Sequence, residues 1–209
     1  MHEHAQHTAP HTAGSIIRWA RLYDLLFARK PSAEHKLALK AAAPQPGDKA
    51  LDVGCGPGTL AILMSQEIGS EGEVVGIDAS MQMIEVARKK AKKQNVATRF
   101  EPAAIEALPF ADDSFDLAAS TYMLHHLPED VQAKGLAEVR RVLKPGGRFV
   151  IVDFSSDSHS FFSHLLSIIG LAHGNSSFPV LEAKLRTAGF TTIEQIPVKR
   201  KASMLVKAT

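Results

Sequence analysis

Short apolar runs alternate along this chain with longer segments whose apolar residues recur at three- and four-residue steps. Residues 50–53, 73–77, 98–100, 115–120 and 148–153 are compact, mostly apolar stretches of the kind that form buried parallel strands. Between them, residues 59–64, 81–93 and 129–143 have helical character, the last with Val131, Leu136, Val139 and Val142 on its inner face. Ser80 is placed to cap the second of these helices, and the basic residues at 88–93 suit its C-terminal dipole. Ahead of the first run, Ile16, Trp19, Ala20, Tyr23, Leu26 and Phe27 form one apolar stripe over residues 15–30. Pro31 stops that helix, and Ser32 can cap the next, over 33–43. A Pro145-Gly146-Gly147 turn leads into the fifth strand, which ends at Asp153. Residues 161–171 are apolar on most sides, 180–188 predict a helix closed by Gly189, and 191–198 pair with 202–206 as a hairpin.

This alternation predicts an α/β fold: a seven-stranded, mostly parallel sheet with one antiparallel strand from the final hairpin and helices on both faces. The chain divides into a His-rich tail (1–13), an N-terminal helical cap (14–43) and the main domain (44–209).

The first strand breaks directly into Gly54-Cys55-Gly56-Pro57-Gly58, and Thr59 begins a helix. Closely spaced glycines let main chain approach a ligand, and a helix start directs free N–H groups and a positive dipole end into the same space. The second strand ends in Asp78, where a carboxylate can accept both hydroxyl protons of a ribose. A nucleoside is therefore the expected ligand. The spacing disfavours a nicotinamide dinucleotide, because the third glycine arrives at Gly58 and Thr59 stands at the sixth position; a triphosphate P-loop is missing altogether.

Leu51-Asp52-Val53-Gly54-Cys55-Gly56-Pro57-Gly58-Thr59 resembles the first motif of the class I S-adenosylmethionine-dependent methyltransferases. Val75-Gly76-Ile77-Asp78-Ala79-Ser80-Met81 is similar to their second motif, and Ala107-Leu108-Pro109-Phe110 with Ser114-Phe115-Asp116 to the segment near the adenine in the ubiquinone/menaquinone C-methyltransferase (methyltransferase type 11) branch. Leu143-Lys144-Pro145-Gly146-Gly147 is like the family's turn into its fifth strand. The resemblance covers roughly residues 44–156 and implies a Rossmann-like fold with S-adenosylmethionine as cofactor and S-adenosylhomocysteine as product.

By that resemblance, the cofactor contacts fall on Asp52, Gly54, Cys55, Gly56, Gly58, Thr59, Asp78, Ala79, Met83, Ala104, Ile105 and Thr121. Relatives often read Asp-Ala-Glu where this chain has Ala104 and Ile105, so adenine here falls to the Ile105 backbone. Tyr23-Asp24 resembles a pair whose tyrosine lies over the active site. Methyl transfer is a direct displacement at a sulfonium carbon and asks mainly for alignment and exclusion of water. A base helps when the acceptor is a carbon or a phenol. His125 and His126, at the fourth strand's carboxyl end, are the candidates, with His126 ahead. The expected acceptor is small and apolar, resembling a quinone precursor. A phospholipid amine N-methyltransferase and a non-catalytic nucleoside-binding regulator are the competing readings.

The chain has 209 residues, 45% hydrophobic and 22% charged, and a formal net charge of +2, which makes no electrostatic case for nucleic acid. With Arg18, Arg21 and Arg29 mostly off its apolar stripe, the helix of 15–30 suits either docking on the domain or peripheral contact with a membrane. A single cysteine, Cys55, excludes an internal disulfide and agrees with a cytoplasmic setting; its small size suits a crowded turn. His2, His4, His7 and His11 lack ligand spacing, so no metal is expected, and oligomeric state is not legible.

Overall fold

The computed structural model describes residues 31–155, 177–198 and 203–209. The stripe at 15–30 with Tyr23, the His-rich tail and the apolar segment at 161–171 lie outside the described residues. The first described helix, α1 (Ala33–Ala42), begins at Ser32, whose side chain accepts from His35 N–H while His35 reaches back to the Ser32 N–H, a capping box with histidine as its third-position partner. Arg148 donates to the carbonyls of Ala42 and Ala43 at the other end of α1 and pairs with Asp48 at 2.7 Å. That guanidinium ties the helix to the sheet.

Strand β1 (Lys49–Val53) leads to α2 (Thr59–Ile68), β2 (Glu73–Asp78) to α3 (Met81–Gln94), and β3 (Arg99–Pro102) through a long loop to β4 (Phe115–Thr121). A single 3₁₀ turn (Leu124–His126) precedes α4 (Glu129–Val142), β5 (Leu143–Phe154), α5 (Phe178–Thr187), β6 (Ile193–Ile196) and β7 (Ser203–Ala208). The seven strands stand in the order β3-β2-β1-β4-β5-β7-β6. β1 pairs in parallel with β2 on one side and β4 on the other, so strand order reverses between β1 and β4. Ligands in open α/β sheets bind beyond the strand ends at that reversal. Among the described residues β7 alone runs against the direction of the other strands, inserted between β5 and β6. The expected fold class is the observed one.

Both faces of the sheet are covered, which is why the strands read as nearly unbroken apolar runs. Leu51, Val75, Phe149 and Ile151 share one core with Leu136 and Val139 of α4 and Leu181 and Leu185 of α5. Ala50, Val74, Leu117 and Val150 share the other with Ala38 of α1, Leu60 and Met64 of α2 and Ile84 of α3. One element departs from the expected pattern. The Pro145-Gly146-Gly147 turn does not precede β5 but is folded into it: Phe115 pairs with Leu143 and Leu117 with Arg148, with a register shift between. Asp116, which sits on β4 at the register shift, takes Lys144 Nζ from the bulge at 2.6 Å and the Lys49 N–H of β1 at 2.9 Å, tying the bulge to the two strands beside it.

Candidate functional site

A cleft opens at the carboxyl ends of β1, β2 and β4. It is lined by Val53, Gly54, Ile77, Asp78, Ala79, Ala103, Ile105, Met123 and Leu127. Asp78 closes β2 with its carboxylate turned onto the glycine turn: Oδ2 accepts the Gly56 N–H at 2.9 Å and Oδ1 the Ser80 N–H at 2.8 Å. Burial raises its pKa above the ordinary carboxylate value, against the lowering effect of those two N–H bonds. Asp52, one strand over and 1% exposed, accepts the Ala61 N–H at 2.9 Å on Oδ2 and has no partner on Oδ1. Burial pushes its pKa up to about 7. Asp52 thus consumes one of the free N–H groups at the start of α2 that the sequence assigned to the ligand.

The three glycines of the turn have different surroundings. A Cβ on Gly56, whose φ is +50°, would meet nothing within 4 Å, so this position lies open. A Cβ on Gly54 would fall 2.3 Å from Met123 Cγ. On Gly58 it would meet Phe100 at 2.7 Å and the Ala87 Cβ at 2.9 Å. Gly58 is therefore glycine because α3 and β3 crowd against it, and its N–H donates to the Cys55 carbonyl. The cradle is Gly54 and Gly56. With Met123 seated on Gly54 the cleft encloses about 100 Å³, below the ~300–1,000 Å³ of ordinary ligand pockets. Met123, unbranched and flexible, is the part of the wall that has to turn aside for a nucleoside.

Of the residues singled out from the sequence, Gly54, Asp78, Ala79 and Ile105 line the cleft. Thr59 is buried and accepts from Lys90 Nζ at 2.8 Å, facing α3. Met83 is buried beneath the Ser80 cap of α3, Ala104 is buried beside Ile105, and Thr121 closes β4 against Val152. The Cys55 thiol lies close to Gly76, 3.1 Å from where its Cβ would stand, and burial followed by the charges of Asp52 and Asp78 pushes its pKa up. It is a packing residue with no thiolate character. Val53, Ile77, Ala103, Met123 and Leu127 were missed. Each lies within a few positions of a strand's carboxyl end, which is the signal that would have found them.

The two histidines part company. His125 is buried and its Nδ1 lies 2.5 Å from Asp153 Oδ1; His126 is half-buried and its ring packs on His125 with centroids 3.8 Å apart. Tyr122, at φ +53°, directs its hydroxyl to Ser203 Oγ at 2.9 Å and its ring against Phe154. Among the described residues no cluster of His, Cys, Asp or Glu could hold a metal ion, and no helix is long and apolar enough to cross a membrane.

An orphaned buried carboxylate oxygen, a second carboxylate on a glycine turn and apolar side walls fit a cofactor with a ribose and a positively charged group. Strand order and cleft together define a doubly wound α/β domain of the nucleoside-cofactor class. Residues 50–147 match the model of a methyltransferase domain family. The chain is 37% identical over 159 residues to a 2-phytyl-1,4-naphtoquinone methyltransferase of Synechococcus elongatus, covering 73% of this chain and 66% of that protein. It is 34% identical over 151 residues to a demethylmenaquinone methyltransferase of Staphylococcus aureus, covering 72% and 61%. The chain thus spans slightly less than two thirds of these curated relatives' own length. A SAM dependent methyltransferase structure from Aquifex aeolicus shares the fold, with a TM-score of 0.69 at 23% identity over 83% of this chain and 88% of that one. The chain belongs to the class I S-adenosylmethionine-dependent methyltransferases.

Proposed function

We propose that this protein transfers a methyl group from S-adenosylmethionine to a small apolar acceptor of the quinone-precursor type, releasing S-adenosylhomocysteine. The observation that carries the reading is the combination of Asp78 on the Gly56 N–H with the partnerless Asp52 Oδ1 on the adjacent strand, beside the sheet's reversal. The named relatives, two enzymes acting on naphthoquinone-type compounds, favour the acceptor class. When bound, the cofactor supplies an electrophilic methyl group on a sulfonium.

This chain's residues do the rest. Asp78 would accept ribose hydroxyl protons while it holds the Gly56 N–H, and Asp52 Oδ1 would accept from the ammonium group. Ile105 would bear on the adenine by backbone and side chain, and Val53, Ile77 and Leu127 exclude water from the reacting centre. A quinone ring is itself electrophilic, so the acceptor must arrive as the electron-rich hydroquinone. Calorimetry with S-adenosylmethionine, followed by transfer of labelled methyl to 1,4-naphthohydroquinone, tests the reading. Saturable binding and a labelled naphthalene product are expected. Binding without any transfer, to this probe or to a cell extract, would instead favour a non-catalytic regulator; label on a phospholipid amine would favour the lipid enzyme.

A further inference from the structure

The loop between β3 and β4, residues 103–114, begins with the Ala103 N–H on the Asp78 carbonyl at 3.2 Å and is then bound to α4 at three-residue steps along that helix. At Gly135, a buried position in the middle of α4, an added Cβ would stand 2.7 Å from Ile105 Cγ1, 2.8 Å from Cδ1 and 2.9 Å from Cγ2. At Glu138, Oε2 accepts the Leu108 N–H at 2.9 Å. At Arg141, Nη1 donates to the Phe110 carbonyl at 2.8 Å and to Asp112 Oδ1 at 2.7 Å, and Nη2 to the Leu108 carbonyl at 3.1 Å. The same guanidinium holds both Glu138 carboxylate oxygens, Nε on Oε1 at 2.7 Å and Nη2 on Oε2 at 2.8 Å. The Asp113 and Ser114 N–H groups close the loop onto the Arg141 and Val142 carbonyls, at 3.1 and 2.8 Å.

None of these three helix residues lines the cleft, but Ile105 does. Glycine is disfavoured in a helix interior by its backbone freedom, so its place in the middle of α4 needs a reason. The reason is clearance, because no side chain fits at 135 with Ile105 where it stands. Ala104, next to it, is buried and has no polar side-chain atom, so a purine base at this wall is held by shape and main chain. Holding by shape requires a wall that does not yield. A loop has little rigidity of its own, and the forked Arg141–Glu138 pair with its bonds to the loop supplies it from the helix.

We infer that Gly135, Glu138 and Arg141 are positioning residues for the base of the cofactor, acting through Ile105. The inference rests on the placement of adenine against Ile105 given above. Gly135 sets how far the Ile105 side chain withdraws from the cleft, and the Glu138–Arg141 pair keeps the main chain that follows Ile105 from shifting. α4 itself cannot retreat, since Leu136 and Val139 are fully buried in the core behind it. A side chain at 135 therefore drives Ile105 toward a cleft of about 100 Å³ that has no room to give.

Calorimetry with S-adenosylhomocysteine on the full chain, beside melting curves and amide hydrogen exchange, provides the test. Gly135→Ala should weaken binding by about 10-fold with little change in melting temperature, because alanine's better helix propensity offsets the crowding. Ile105→Ala should weaken it by about threefold, and the double variant should bind within about twofold of Ile105→Ala, since the new Cβ then has nothing to push. Arg141→Lys, whose ammonium cannot reproduce the fork, should weaken binding by about threefold and speed amide exchange at Ala107 and Leu108 by about 10-fold while β1 and β2 keep their rates. Losses that add in the double variant, wild-type affinity in Gly135→Ala, or wild-type exchange at 107–108 in Arg141→Lys would each overturn the inference. Wild-type affinity in Ile105→Ala defeats the adenine placement instead, and the exchange rates in Arg141→Lys then uphold or overturn the clamp on the loop.

Discussion

The β1–β2 wall of the cleft and its β4–β5 wall are made from different materials. On the first, recognition is by main chain and two carboxylates: Gly54 and Gly56 clear the approach, Asp78 grips the Gly56 N–H, and Asp52 holds the start of α2. The second presents Met123 and Leu127, and behind them Tyr122, His125, His126 and Phe154 pack together and are pinned by Asp153 and Ser203. The first wall suits a polar, charged ligand common to a whole family. The second offers an apolar surface. Main-chain contacts tolerate few changes of sequence, whereas a ring cluster can be re-cut by single substitutions, so the two walls can diverge independently.

Substitutions can break that division. The largest effect is expected for Gly54→Val, which places a Cβ against Met123 and a branched side chain at φ +70°. Cofactor affinity should fall at least ~100-fold by calorimetry, with a stability loss of about 1–3 kcal/mol. Asp78→Asn should weaken cofactor binding by about 10- to 100-fold, as expected for lost hydrogen bonds to a charged group; a variant that binds as the wild type does would refute the ribose assignment.

The neighbouring glycines offer a sharper contrast. Gly58→Ala should cost about 1–3 kcal/mol in denaturant unfolding, because Phe100 and Ala87 have to move. Gly56→Ala should cost less stability and more affinity, since its Cβ meets only open space. Equal losses in both variants would show that the cradle is structural throughout.

Asp52 yields a pH prediction of smaller size. Its folded pKa of about 7 lies above the ordinary 3.8, so folding takes up a proton between these values. The stability it contributes is therefore present at low pH, declines as pH rises from about 4 to about 7, and stays low above that. Asp52→Asn should flatten this part of the curve and raise the melting temperature at pH 8, by about 2–4 °C for each kcal/mol recovered, while weakening cofactor binding. Parallel melting curves for both proteins from pH 5 to 8 would contradict the assignment. The smallest effect is Tyr122→Phe, which loses the hydrogen bond to Ser203 and about 0.5–1.5 kcal/mol, with cofactor affinity unchanged.

The β1–β2 wall was legible before folding because its parts are consecutive: a strand, a glycine turn and a helix start, then an acid at the next strand's end. The mostly parallel sheet followed from the same alternation of patterns, whereas the strand order came only from the structure. Neither the bulge in β5 nor the burial of Asp52 was legible, since both depend on carboxylates whose partners come from other strands and helices. Position after β4 treats His125 and His126 alike; that Asp153, 28 positions away, pairs with His125 was not legible.

By itself, then, the order of amino acids determined the α/β alternation, the glycine turn, the acid that faces it and the kind of cofactor they suit, because local spacing and backbone freedom are enough to specify all four. Only the folded chain decided which glycine is open and which is crowded, which histidine has a carboxylate, and that Met123 lies across the cradle. Those outcomes depend on side chains brought together across parallel strands, where register and layer packing, rather than nearness along the chain, set the neighbours.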